Sequence, residues 1–381
     1  MGQDESHPYH SQELISQANL TQYCNISNDK IIQSYIKTAS SFLSNYIRTS
    51  GFYAYWHVEN QNAQEHPDSL SGHFTASDGK YLYIGYGQTK DKVPNTDIWK
   101  LNLASRKWEK LPLHGELRSP RNGSRAIILG NYIVIFGGYY SGTYYGDLHY
   151  VNLKTSEVSS IKTNGLTPSP RSSPLIDSYN GKIFIWGGFD GTFPTELNIL
   201  DINTLTWRNV PTNIQGRTGI PHVKYNNKII AYGNSSFEAY LEIDMDKETV
   251  NYVQTTGVAP PPKKVGSSMA VVGKYVLYFG GKSKHQETFI YALDIERSWW
   301  FILNVLPDGE TVSFERGKVT DNGLFMLPRK HSFSMEYCKQ TRELIITMGA
   351  ENPDNETWVF SMEKAISGLN HREDMLLMLK C

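Results

Sequence analysis

Short apolar runs, each closed by glycine, punctuate the chain at regular intervals. They read "YLYIGYG" to Gly87, "YIVIFGG" to Gly138, "KIFIWGG" to Gly188, "KIIAYGN" at Gly233 and "YVLYFGG" to Gly281, with a looser sixth, "LIITMGA", at Gly349. From Gly137 to Gly187, Gly233 and Gly280 the steps are 50, 46 and 47 residues, and a period of this size marks an array of like units. Runs this short, rich in branched and aromatic residues and ended by glycine, predict strands rather than helices. A polar loop follows each run, and then a second strand: "DIWKLNL", "DLHYVNL", "ELNILDI", "AYLEIDM" or "FIYALDI". Next comes a large apolar residue, at Trp108, Val158, Trp207, Tyr252 and Trp299, and a turn carrying Pro or Gly with a basic residue. The expectation is four short strands per unit, laid as an antiparallel meander.

This order of features resembles the kelch repeat, in which a glycine doublet follows an apolar strand and a tryptophan comes later in the unit. The resemblance runs from roughly Phe52 to Ser361. It implies an all-β fold, a six-bladed kelch-type β-propeller with each repeat forming one four-stranded blade. Gly233-Asn234 and Gly349-Ala350 stand in place of Gly-Gly, and the second and fourth units lack the tryptophan. Gly137, Gly138, Gly187, Gly188, Gly280 and Gly281 are read as structural, because glycine permits a positive φ and close backbone approach. Trp108 and Trp207 are read as packing between blades. No GxGxxG or GxxxxGK[ST] phosphate loop leads into a helix.

The sixth unit offers strands near His331 to Tyr337, Glu343 to Met348 and Thr357 to Phe360, and then stops. A missing fourth strand would leave backbone groups unpaired. The segment "YAYWHVE" can supply it, with Trp56 where other units have Trp108 and Trp207, so residues 51–59 are expected to close the ring. The chain then divides into an N-terminal extension (1–50), the propeller (51–361) and a C-terminal helix (362–381). Within the extension, apolar positions from Ile32 to Ile47 recur at helical spacing and predict an amphipathic helix over about 29–50. Packing on the propeller rim or on the C-terminal helix is the expected role for a single apolar stripe, and docking or dimerisation is the alternative.

In such a meander, the loop between strands two and three and the loop joining successive blades emerge on one rim. Arg121, Arg171, Arg217, Lys263, Lys264 and Arg329 come from the junctions. Tyr139, Tyr140, Tyr144 and Tyr145 of "YYSGTYYGD", and Phe189, Asp190 and Phe193 of "FDGTFP", come from the inner loops. Arginine and tyrosine are enriched at binding hot spots, so this basic and aromatic rim is the expected partner surface. If exposed, the arginines would favour an acidic or phosphorylated segment. In proteins resembling this one a Pro-Arg pair is also a common part of the repeat, and its arginine can pack within the scaffold rather than meet a ligand. The fifth-to-sixth spacing, 69 residues from Gly280 to Gly349, carries an insertion near 305–324, expected on the same rim as a partner-contacting flap or a dispensable excursion.

Composition narrows the function classes. A net charge of −1 gives no overall basic field for nucleic acid or an anionic membrane. Three cysteines without metal-ligand spacing, Cys24, Cys338 and Cys381, and the absence of an apolar run of spanning length, point to a cytoplasmic protein with no transmembrane segment. The N-terminal MGQDES matches a myristoylation pattern with Gly2 as acceptor, but Asp4 and Glu5 give no basic second signal, so one acyl chain would anchor only marginally. Histidines at 57, 73, 149, 222, 285 and 331 are scattered over different units, and Cys338 is the only propeller cysteine. The reading is therefore a non-catalytic protein-interaction scaffold or adaptor without cofactor or metal. The alternative is a propeller-based enzyme or a small-ligand or glycan-binding protein.

Overall fold

The structure, a computed structural model, describes residues 54–60, 65–234, 238–262, 265–282, 289–320, 324–349 and 356–362. The helix expected over 29–50, all but Met362 of the one expected over 362–381, and Gly2, Lys263 and Lys264 lie outside these residues. Six antiparallel sheets form six blades. Blade I is built from Phe74–Ser77, Tyr81–Gly85, Ile98–Asn102 and Trp108–Lys110. Blade II uses Arg125–Leu129, Tyr132–Tyr140, Thr143–Asn152 and Glu157–Ser160; blade III uses Leu175–Tyr179, Lys182–Trp186, Leu197–Asp201 and Thr206–Val210. Blade IV comprises His222–Tyr225, Lys228–Ala231, Ala239–Asp244 and Thr249–Gln254, and blade V Val265–Val272, Tyr275–Lys282, Ile290–Asp294 and Trp299–Leu303. Ser334–Cys338, Glu343–Thr347, Glu356–Ser361 and Ala54–Asn60 make blade VI.

The first strands of successive blades lie side by side around a central axis. Side chains complete that inner circle: His73 Nε2 and Thr75 Oγ1 meet Ser334 Oγ at 2.8 and 2.7 Å between blades I and VI. Second strands are apolar at nearly every position because both their faces are covered by neighbouring blades, as Ile183–Trp186 illustrates.

The count of four strands per blade needs correction. In blades II, III, V and VI a fifth, parallel strand lines the outer edge, drawn from the junction that leads into that blade: His114–Gly115, Asn164–Gly165, Thr256–Gly257 and Val305–Pro307. Three of these carry a glycine at the contact, and a side chain there would meet backbone. A Cβ at Gly165 would stand 2.2 Å from the Trp207 carbonyl oxygen, and Gly165 has φ +81°. Both facts forbid alanine without a shift of the edge. Gly165→Ala is expected to destabilise the protein by about 1–3 kcal/mol, read as a lower urea midpoint with unchanged slope.

Pairing also corrects the tryptophan register. Trp108 opposes Leu101, Trp207 opposes Leu200 and Trp56 opposes Phe360. By the same criterion the equivalent in blade V is Trp300, opposite Leu293, rather than Trp299; in blade IV it is Val250, opposite Ile243, rather than Tyr252.

The insertion before blade VI is neither a flap over the rim nor a free excursion in its described part. It runs along the outer edge of Ala54–Asn60. Asn304 and Trp56 carbonyls accept from Ala54 N and Asp308 N, at 3.1 and 2.9 Å. Val58 N donates to Thr311 Oγ1 at 2.9 Å, and Thr311 is held by Asp308. Val312 and Phe325 are buried in the same core cluster as Trp56 and Trp358.

Candidate protein-interaction rim

A repeated girdle joins the blades where each second strand ends. The backbone N–H of the doublet's second residue donates to the carbonyl of the junction residue in the next blade: Gly87 to Arg121, Gly138 to Arg171, Gly188 to Arg217 and Gly281 to Lys330, at 2.8 to 3.0 Å. In blade VI the pairing makes Met348-Gly349, not Gly349-Ala350, the equivalent pair, and Gly349 donates to Leu70, which holds that place in blade I, at 3.2 Å. The junction side chain then reaches back into its own blade. Nη1 of Arg121, Arg171 and Arg217 donates to the carbonyls of Gly137, Gly187 and Gly233, at 3.3, 3.1 and 3.0 Å. One residue thus engages two blades.

The three arginines are consequently buried rather than displayed. Arg121 and Arg171 keep 2% of their surface and Arg217 9%. Arg121 pairs with Asp147 at 2.6 Å and lies over the Tyr145 ring at 4.0 Å; Arg217 meets the Tyr252 hydroxyl at 2.7 Å. In the sixth junction the buried cation is Lys330, over the Trp358 ring at 4.9 Å, its amine pushed down to about 8 by burial. Arg329, picked out in sequence, is exposed beside it. Residue type alone does not separate these cases.

Blade I replaces the first doublet glycine with Tyr86, held at φ 59°, where Gly137 and Gly187 have φ 68° and 67°. This conformation is uncommon for a bulky residue, and the contacts that hold it are specific. Tyr86 packs edge-on against Phe74 and its hydroxyl meets His149 Nε2 at 2.9 Å. His149 Nδ1 lies 3.2 Å from Asp147 Oδ2. Burial lowers the His149 pKa against the pull of Asp147. With His149 fully buried and Tyr86 nearly so, this Asp–His–Tyr chain fastens blade I to blade II.

Above the girdle sits a ladder of aromatic rings. Tyr139 exchanges both backbone hydrogen bonds with Asn122, the residue after Arg121, at 2.8 Å; Phe189 does the same with Ser172 at 2.9 Å. These bridges fix two rings on the rim of neighbouring blades. Ring centroids follow at 4.8 Å from Tyr139 to Tyr144, 6.0 Å from Tyr144 to Phe189 and 5.1 Å from Phe189 to Phe193. Tyr139 and Phe193 are exposed, and Tyr140, Tyr144, Tyr145 and Phe189 half-buried. Asp190 organises the loop between them, accepting from Thr192 N and Oγ1 at 3.0 and 2.7 Å and from Ser169 Oγ at 2.5 Å.

Sequence reasoning named His73 and His222 but missed the acidic groups Asp177 and Glu336 on the innermost strands. Burial pushes Glu336 up to about 7 and Asp177 up to about 6, and takes His73 and His222 down to about 4. A polar residue breaking the apolar alternation of each first strand was the available signal. Among the described residues no three His, Cys, Asp or Glu side chains stand together as a metal site, and no helix is long and apolar enough to cross a membrane.

Six meander-based sheets around an axis, joined by a glycine girdle, define a repeat-built β-propeller. The chain belongs to the kelch-repeat family: it matches the model described as the KLHDC2/KLHL20/DRC7 Kelch-repeats domain over residues 54–234 and again over 175–320. It is 26% identical over 226 residues to Kelch domain-containing protein 1 of Homo sapiens, covering 56% of this chain and 50% of that protein. It is 26% identical over 200 residues to Kelch domain-containing protein 10 of Rattus norvegicus, covering 46% and 48%. The chain thus spans about half the length of these relatives. The solved structure of YjhT superposes with a TM-score of 0.57 at 16% identity, over 77% of this chain and 94% of that one, a likeness of fold.

Proposed function

We propose that this kelch propeller is a non-catalytic interaction scaffold that binds a protein segment across the rim of blades II and III, and that Ala54–Asn60 serves as the latch holding its ring closed. The observation that carries the first part is the ladder Tyr139–Tyr144–Phe189–Phe193, exposed at its two ends and half-buried between them, set on two blades by paired backbone bonds. Large rigid rings on a preformed surface lose little entropy on binding, which is why they recur as anchors. The buried arginines are the frame under this surface. Their burial removes the ground for a preference for an acidic or phosphorylated partner.

The test is affinity capture with quantitative mass spectrometry, comparing wild type with Tyr144→Ala/Phe189→Ala. Tyr132→Ala, an exposed ring at the opposite end of the blade II hairpin, is the control. Proteins specifically retained by wild type and by the control are expected to fall at least about tenfold on the ladder variant. Equal retention by all three would place the binding surface elsewhere.

A further inference from the structure

Around the ladder stand four carboxylates, Glu116, Asp147, Asp190 and Glu196, and three guanidiniums, Arg118, Arg121 and Arg171, and in blade II the carboxylates are the groups nearer the solvent. In blade III, Asp190 and Glu196 both act on Arg171, yet the donors of that guanidinium go to neutral oxygens: the Ser169 carbonyl at 3.0 Å, the Gly187 carbonyl at 3.1 Å and Ser169 Oγ at 2.8 Å. Glu196 Oε2 is buried without a hydrogen-bond partner among the described residues. Slight burial works to raise the Asp190 pKa, but hydrogen bonds from Ser169 and Thr192 outweigh it, so the group is ionised. In blade II each ion pair has its acid outward: Glu116 is 59% exposed against 20% for Arg118, and Asp147 33% against 2% for Arg121.

Aromatic faces and an outward negative field select for cations. The scaffold already uses this chemistry: the guanidinium of Arg121 lies 4.0 Å from the Tyr145 ring centre and that of Arg217 4.8 Å from Tyr252. From the charge complementarity of this sector we infer that the ladder's occupant is an arginine- or lysine-bearing peptide segment, its cationic side chain laid over Tyr144 and Phe189 with Asp190 and Glu196 as counter-charges. This deepens the proposed rim function and rests on it.

A phage-displayed library of random dodecamer peptides, selected on the full chain, separates the two. Wild type is expected to enrich peptides of net positive charge with Arg or Lys at a fixed register. Synthetic copies should bind Asp190→Asn/Glu196→Gln at least about tenfold more weakly and lose detectable binding to Tyr144→Ala/Phe189→Ala, with urea midpoints showing that both variants fold. Enrichment of neutral or acidic peptides that still need the ladder would overturn the cationic occupant and leave the rim reading standing. Peptides indifferent to both variants, or no enrichment, would overturn both.

Discussion

Trp56→Ala is expected to lower the stability of the whole propeller by about 3–5 kcal/mol, well beyond a large-to-small change at Trp108. Trp56 has no exposed surface, whereas Trp108 keeps 8%. Its ring lies 4.8 Å from Trp358, 6.4 Å from Phe360 and 6.2 Å from Phe325, and the Arg316 guanidinium stands 5.7 Å over it. These groups come from three places in the chain: the first strand, the last strand and the insertion. Most blades are held together by covalent connection as well as by sheet bonding; the strand Ala54–Asn60 is joined to Glu356–Ser361 by pairing alone, in the register Tyr55 opposite Ser361 to Asn60 opposite Glu356. Loss of packing at this seam exposes two unpaired edges together, and in a closed repeat array neighbouring interfaces then weaken in turn. Urea unfolding followed by far-UV circular dichroism should give one earlier transition for Trp56→Ala. Deleting residues 51–59 should prevent cooperative folding, and removing residues 1–21 should leave the midpoint unchanged. A 51–59 deletion that melts like wild type would place the closure elsewhere.

The architecture was legible because its determinants are local and repeated. Runs such as "YIVIFGG" and "KIFIWGG" are apolar throughout because second strands are covered on both faces, and the glycines after them take φ values open to few other residues. The fifth strands were harder to see: each is two or three residues long and belongs to the blade after the one it follows. Gly115, Gly165 and Gly257 nevertheless recur six residues before Arg121, Arg171 and Lys263, a second glycine period that marks them. The rim was legible in position and not in exposure. Arg121 and Arg329 each follow a proline, but the junction carbonyl of the sixth unit belongs to Lys330, so Arg329 stands one residue off the register in which Arg121 meets Asp147 of the blade II hairpin. Tyr86 and Met348 hold the glycine conformation without being glycine, at φ 59° and 65°, and Tyr86 is packed there by Phe74 and bonded to His149 of another blade.

Arg121→Glu, which on an exposed rim would be a mild charge reversal, is expected to unfold the protein or lower its urea midpoint sharply. Removing the cation leaves Asp147 facing a carboxylate, opens the bond to the Gly137 carbonyl, and strips the face of Tyr145. Breaking a buried pair from one side costs about 3–5 kcal/mol, and the partial exposure of Asp147 puts this case towards the lower end. Arg121→Met tests the mechanism with less repulsion: packing over Tyr145 is kept, the charge is lost, and a smaller loss is expected. Acid titration adds an independent readout. Burial works to raise the Asp147 pKa, but His149 and Arg121 hold it well below the usual carboxylate range. A depressed carboxylate contributes stability that is present above its unfolded value, near pH 4, and is lost as pH falls below that value towards the folded one. Wild type should therefore lose stability on acidification below about pH 4 more steeply than Arg121→Met, in which part of that contribution is already gone. Arg118→Met, whose guanidinium is 3.9 Å from Asp147 and tied to the exposed Glu116, should shift the midpoint by less than about 1 kcal/mol. Equal, small effects of Arg121→Met and Arg118→Met would mean that the girdle is held by its backbone bonds alone, and would return Arg121 to the set of residues available to a partner.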